Sequence, residues 1–307
     1  MRLIASAIAI MLLVSQNTAQ AQGKNTAERL GYPRDSKLLI IHADDLAVAH
    51  SEDAASFDAL DKRAATSASI MVPCPWLTEV AEYAKAHPDA DLGLHLTLTS
   101  EWKTYRWGPV ASKHQVPSLL DSSGYLWPDS DPAKQHIKAD EAEREIRAQM
   151  EKAISMGIHP THIDSHMGVL FSRPDLFAAY VRVAHDFKLP FLAVRTPDAP
   201  PALLSLLSDK DILLDSIVMA SPDVKPADWK SFYLNAIKNL KSGVTEFIVH
   251  LGYDDAELRA VTVDHPDYGS AWRQRDYDVI TSPEFKKALD DNHVILIRWA
   301  DIKKLLG

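Results

Sequence analysis

From Lys37 onward the chain alternates short apolar runs with amphipathic stretches of helical period. "KLLIIHA" (37–43), "SASIMV" (67–72), "DLGLHL" (91–96) and "THIDSH" (161–166) read as strands, as do "FLAVR" (191–195), "DSIVMA" (215–220), "TEFIVHL" (245–251) and "HVILIRW" (293–299). Between them, 52–63, 77–86, 138–156 and 175–187 carry helical patterns; in the third, Ile146, Met150 and Ile154 recur at helical spacing among charges. Eight strands alternating with helices predict an α/β fold, an irregular (β/α) TIM-like barrel of parallel strands. An open doubly wound sheet is the competing arrangement, but no glycine-rich nucleotide loop follows the first strand.

One stretch breaks the alternation. Thr97 to Asp131 forms a long aromatic-rich insertion after the third strand, with Trp102, Tyr105, Trp107, Tyr125 and Trp127 among prolines and turn residues. Such aromatics either stack on sugar rings or pack as a satellite core under the loop.

The N-terminus follows another rule. Arg2, an apolar run from Leu3 to Val14 and the small-x-small pattern Ala19-Gln20-Ala21 predict a signal peptide over 1–21. An uncleaved anchor is the rival, although the run is shorter than the roughly 20 residues that span a bilayer. Export to the periplasm or medium follows, with cleavage after Ala21. Residues 22–36 then form an N-terminal extension and 37–307 a single catalytic domain.

The composition is that of a globular protein, 46% hydrophobic and 24% charged. Formal charge is 33 − 42 = −9, and loss of Arg2 makes it −10. An acidic chain without a basic cluster argues against nucleic acid and against anionic membrane once the leader is removed. The single cysteine, Cys74 in "VPCPW", excludes an intrachain disulfide and reads as a structural thiol.

Candidate chemistry collects at the strand ends. Asp44 and Asp45 end the first strand, His95 lies near the end of the third, and Asp164 and His166 end the fourth. Arg195 ends the fifth and His250 the seventh. In a parallel barrel these ends share one face, where active sites are built. Whether "PTHIDSHMG" (160–168) is a strand or a helix, its spacing brings His162, Asp164 and His166 to one side. One aspartate with two or three histidines suits a divalent metal. Taken singly, each has an ordinary explanation: a buried histidine bonded to backbone, or an acidic pair at a helix start. His42, His162 and His265 read as structural or supporting residues. Adjacent Asp44 and Asp45 cannot both point inward from a regular strand. At a frayed end, one can ligate metal while the other approaches bound water. A metal, a carboxylate base and a histidine acid would hydrolyse an amide or ester without a covalent intermediate.

"HADD" (42–45), "GLHLTLT" (93–99), "THIDSH" (161–166) and "HLGY" (250–253) occur in the order found in the YdjC-like, or ChbG/HpnK, carbohydrate deacetylases, which the chain resembles from about Lys37 to Leu306. The resemblance implies an irregular barrel and metal-dependent removal of N-acetyl groups from amino sugars such as chitooligosaccharides. It puts the metal ligands on Asp45, His95 and His166, the base on Asp44 and the acid for the leaving amine on His250. It also implies that Arg195 orients the acidic groups and that Asp164 holds a ligand histidine. The cofactor implied is a divalent metal ion, zinc or magnesium foremost. The partner is a small carbohydrate, and a homodimer is compatible with the pattern. The chain departs from the family at His42, Leu46-Ala47, Gly168 and Leu251, which alters the pocket walls but removes no implied ligand. Two other activities fit a metal on a barrel: a sugar isomerase or epimerase, and a carbohydrate-binding protein without catalysis.

Overall fold

The computed structural model describes residues 25–195, 201–208 and 210–306. The expected signal peptide lies outside the described residues. No helix among those described is long and apolar enough to cross a membrane.

Seven parallel strands make up the sheet: β1 (Lys37–Leu46), β2 (Ser67–Ile70), β3 (Leu92–Leu96), β4 (Ile163–Ser165), β5 (Ser216–Met219), β6 (Gly243–His250) and β7 (Val294–Leu296). Their order is β4-β3-β2-β1-β6-β5, with β7 paired to the start of β1. Helices connect the strands, as parallel pairing requires. The result is an α/β fold whose sheet curves into a barrel-like wall.

Where eight strands are expected, the described residues contain seven. The "FLAVR" segment makes only single bridges, Phe191 to Ile163 and Val194 to Leu214. Pro190 and Pro197 bracket it in sequence, and proline has no N–H for a ladder. It nevertheless joins the two edges of the sheet. The N–H of Leu192 donates to Ile163 O (2.9 Å), and that of Leu214 to Ala193 O (2.9 Å).

Period-two alternation divides the strands between two environments. On β1, Leu39, Ile41 and Ala43 belong to the large core shared with the helices, whereas Leu38 and Ile40 belong to a second cluster. Val244, Ile248, Leu192, Leu214 and Trp299 join that second cluster inside the curve of the sheet. The inward series Leu38, Ile40, His42, Asp44 therefore runs from apolar floor to polar mouth. The stretch expected as an N-terminal extension joins the floor, with Ala27 buried in the same cluster. On the helix Ala139–Ser155, Ile146 and Met150 are buried but Ile154 is exposed; Ala153 takes its expected place against the core.

The long segment after β3 is mostly irregular. Trp102 and Trp107 are buried and belong to the large core. Trp107 Nε1 donates to Thr99 O (2.7 Å), Trp127 Nε1 to Ser118 O (2.9 Å), and Tyr105 Oη to Val48 O (2.7 Å). These aromatics thus pack into or against the large core itself rather than forming a separate satellite, with Tyr125 exposed.

Below the site, buried Asp91 ties several elements together. It accepts hydrogen bonds from Ser67 Oγ (2.7 Å), from Ala300 N (3.0 Å) and from Thr161 Oγ. Asp91→Ala leaves these donors unpaired and is expected to cost about 3 kcal/mol. Denaturant unfolding should show a lower midpoint at unchanged slope; an unchanged midpoint would contradict this bracing role.

Candidate active site

The inward parity of β1, β3, β4 and β6 brings His42, Asp44, His95, Asp164, His166 and His250 together at the carboxyl ends of the strands. "PTHIDSHMG" is a strand end: His162, Asp164 and His166 alternate along one side, and β4 gives way to a 3-10 turn at His166. Asp45 has outward parity, yet its side chain reaches the same place. The β1–β2 register shifts between Ala43 and Leu46, and Asp45 adopts φ 71°. That left-handed residue turns the second carboxylate inward, an uncommon conformation for a non-glycine residue.

Three ligand atoms of Asp45, His95 and His166 lie within 4.8 Å of one another, all three side chains buried. Asp45 Oδ1 is 3.4 Å from His95 Nε2 and 3.3 Å from His166 Nδ1. The other nitrogen of each imidazole is held by a carboxylate: His95 Nδ1 by Asp164 Oδ1 (2.7 Å) and His166 Nε2 by Glu101 Oε2 (3.1 Å). Such outer partners fix the tautomer and aim the free nitrogen of a metal-binding histidine. Asp45 Oδ1 and Asp44 Oδ1 are buried acceptors without a hydrogen bond. The donor set therefore fits a divalent cation.

Arg273, on the helix Ser270–Ile280, takes the opposite oxygen of Asp45. One guanidinium nitrogen donates to Asp45 Oδ2 (2.7 Å), while Nε donates to Tyr268 O (2.7 Å) and lies 2.9 Å from Glu52 Oε1. This leaves Asp45 Oδ1 facing both histidines.

Burial and charge set the protonation of the cluster. Burial favours a neutral Asp45, but Arg273 and His166 outweigh it and hold its pKa well below the usual carboxylate range. Burial lowers the His166 pKa, but Glu101 and Asp45 raise it to about 10. His250 is the contrast: burial pushes it down to about 4, with Arg273 acting in the same direction against the pull of Asp45. It rests as neutral imidazole, 4.0 Å from Asp45 Oδ2, while its backbone N–H donates to Asp276 Oδ2 (3.0 Å).

These groups line a cavity of about 420 Å³. Met167, Ile217 and Met219, each partly exposed, contribute apolar surface to it, and Trp102, His265 and Tyr268 add further lining.

Arg195 is not part of this site. Its side chain is 66% exposed, and it pairs at 3.9 Å with Asp215, which lies outside the cavity. Parity explains the correction: Leu192 faces the interior, with Val194 packed against the same cluster, so Arg195 points outward. The arginine that does contact an acidic residue of the site is Arg273, at Asp45. Sequence reasoning also missed Glu101 and Glu52. His162 lies beneath this site, stacked on Trp299 with ring centroids 5.0 Å apart.

Fold and site together define a broad class: barrel-like α/β proteins with buried carboxylates and imidazoles gathered at the strand ends, in groups that could hold a metal ion. Within that class, residues 38–291 match the family model described as YdjC-like protein, and the chain belongs to that family. A carbohydrate deacetylase of Thermus thermophilus is 30% identical over 285 residues, covering 91% of this chain and 98% of its own length. A carbohydrate deacetylase of Thermoanaerobacter pseudethanolicus is 26% identical, with 87% and 100% covered. A crystal structure from Enterococcus faecalis V583, described as a candidate cellobiose-phosphate cleavage protein, superposes with a TM-score of 0.73 at 24% identity, covering 87% and 99%; it supports the fold.

Proposed function

We propose that this protein is an exported, metal-dependent carbohydrate deacetylase that hydrolyses the N-acetyl group of an amino sugar or short oligosaccharide. The observation that carries this reading is the convergence of Asp45, His95 and His166 beside Asp44, in a chain whose full-length relatives are carbohydrate deacetylases. Asp45, His95 and His166 hold the ion, zinc or magnesium foremost. Such an ion polarises a carbonyl and lowers the pKa of water. Asp44 accepts the proton of the attacking water. Asp164 keeps the His95 ring aimed. His250, neutral at rest, must gain a proton before giving it to the departing nitrogen, which the proton released at Asp44 supplies. Export rests on the leader pattern of residues 1–21.

The test is acetate release, with product mass, from metal-reconstituted protein given N-acetylglucosamine, its short β-1,4 oligomers and acetylated xylo-oligomers. An acetyl-sized mass loss from the amino sugars, abolished by chelator and restored by added metal, is expected. His166→Ala should lose most bound metal as measured by elemental analysis, and activity with it. Acetate release that persists in fully chelated protein would remove the metal from the mechanism. A product of unchanged mass would indicate isomerase chemistry instead.

A further inference from the structure

His42 stands one layer below the reacting groups, fully buried, and the mechanism above does not use it. Its Nε2 lies 3.0 Å from Asp164 Oδ2, 3.1 Å from Asp44 Oδ1 and 3.0 Å from Ser69 Oγ. Ionised carboxylates only accept hydrogen bonds, so Nε2 carries the hydrogen. The Asp44 carboxylate has two ion-pair partners among the described residues. One is His42; the other is His95 Nε2, at 3.7 Å from Asp44 Oδ2. The second nitrogen of His95 is already engaged by Asp164. The orientation of Asp44 thus depends on His42.

We propose that His42 is a positioning residue that fixes the Asp44 carboxylate, placing Oδ1 against the imidazole so that Oδ2 faces the site. This rests on the reading of Asp44 as the base. Two carboxylates drawn to one nitrogen would separate by charge repulsion without a donor between them. With His42 present, Nε2 hydrogen-bonds Asp164 Oδ2 (3.0 Å) and stands within ion-pair distance of Asp44 Oδ1 (3.1 Å), so one ring lies between the two carboxylates. The ring itself has little freedom. On its far side Nδ1 lies 3.6 Å from Glu246 Oε1, which accepts a hydrogen bond from Trp299 Nε1 (2.8 Å). The His162 ring meets it edge-on at 4.9 Å, and His162 is backed by Trp299. A base held this way pays no reorientation cost during reaction, and loss of alignment by about 1 Å is enough to slow turnover about 100-fold.

The experiment uses metal-loaded full-length protein, comparing His42→Phe and His42→Gln in the wild-type and Asp44→Asn backgrounds with the acetylated oligomer that the wild type turns over. His42→Phe should lower kcat about 100-fold. KM should stay within about twofold and bound metal should be unchanged, because the residue touches neither substrate nor ion. His42→Gln, which retains a donor, should recover about tenfold of the loss. In the Asp44→Asn background neither substitution should cost anything further, the signature of a residue acting through Asp44. An equal loss in both backgrounds, or a folded His42→Phe protein with kcat within twofold of wild type, would overturn the proposal. If the phenylalanine is not accommodated, His42→Leu is judged by the same criteria. Should Asp44→Asn itself turn over like wild type, the assignment of the base falls and this inference with it. A dead Asp44→Asn beside unaffected His42 variants removes the inference alone.

Discussion

Asp44→Asn is expected to lower kcat by about 10²- to 10⁴-fold, the usual contribution of a general base, while bound metal and KM stay near wild type. Asparagine matches the carboxylate in shape and keeps an oxygen to place beside His42 Nε2, so the fold around it has no reason to change. What it cannot do is take a proton. Asp44 lies outside the proposed Asp45, His95 and His166 ligand set but gathers with His95 and Asp164 in a second group of ligand atoms, so metal content decides between base and ligand. Steady-state kinetics with elemental analysis of the same preparation provide the check. A variant of wild-type kcat would remove Asp44 from the mechanism. A variant that lost both metal and activity would move it into the ligand set.

The site was legible where strand periodicity controls it and obscure where tertiary packing does. His95, Asp164, His166 and His250 sit at inward positions of apolar runs, so alternation alone directs them to one mouth. Asp45 breaks alternation, and its convergence depends on a bulge and a left-handed residue that no hydrophobic pattern encodes. Arg195 shows the opposite failure: its place at a strand end suggested the site, but its parity sends it to solvent. Arg273 lies in "SAWRQRDYDVI", which reads as a solvated helix because charges are spread through it. Only its packing against the mouth of the sheet buries it. Glu101 comes from irregular backbone and carries no periodic signal. The strand at 191–195 failed for a local reason, since prolines on both sides limit it to single bridges.

Taken together, these positions give the site two kinds of support. Imidazoles and carboxylates from the strands form the reactive layer, and helix and loop residues neutralise it from outside. Loss of a supporting charge should therefore appear first in stability, and only through the ion in activity.

Arg273→Met tests that division and carries the largest expected effect on stability. The substitution keeps an unbranched apolar stem but removes a buried cation that contacts Asp45 and Glu52. Burial drives the Glu52 pKa well above its usual value, and Arg273 is the charge that opposes it. Asp45 would be left as a buried anion beside Glu101, faced only by the site imidazoles, of which His95 and His166 are nearest. Breaking a buried pair by deleting one partner costs about 3–5 kcal/mol, which in a protein of this size corresponds to a fall on the order of 10 °C in Tm. That full loss is expected in chelated protein. In metal-loaded protein a divalent charge at Asp45, His95 and His166 offsets the same anion, so the loss should be smaller and the gap between loaded and chelated Tm wider than in wild type. Thermal unfolding of both proteins in both states measures this directly. An equal drop with and without metal would mean that Arg273 supports packing alone, through its contacts with Tyr268 and Trp102. A wider gap would show that the arginine and the ion balance one carboxylate from its two oxygens.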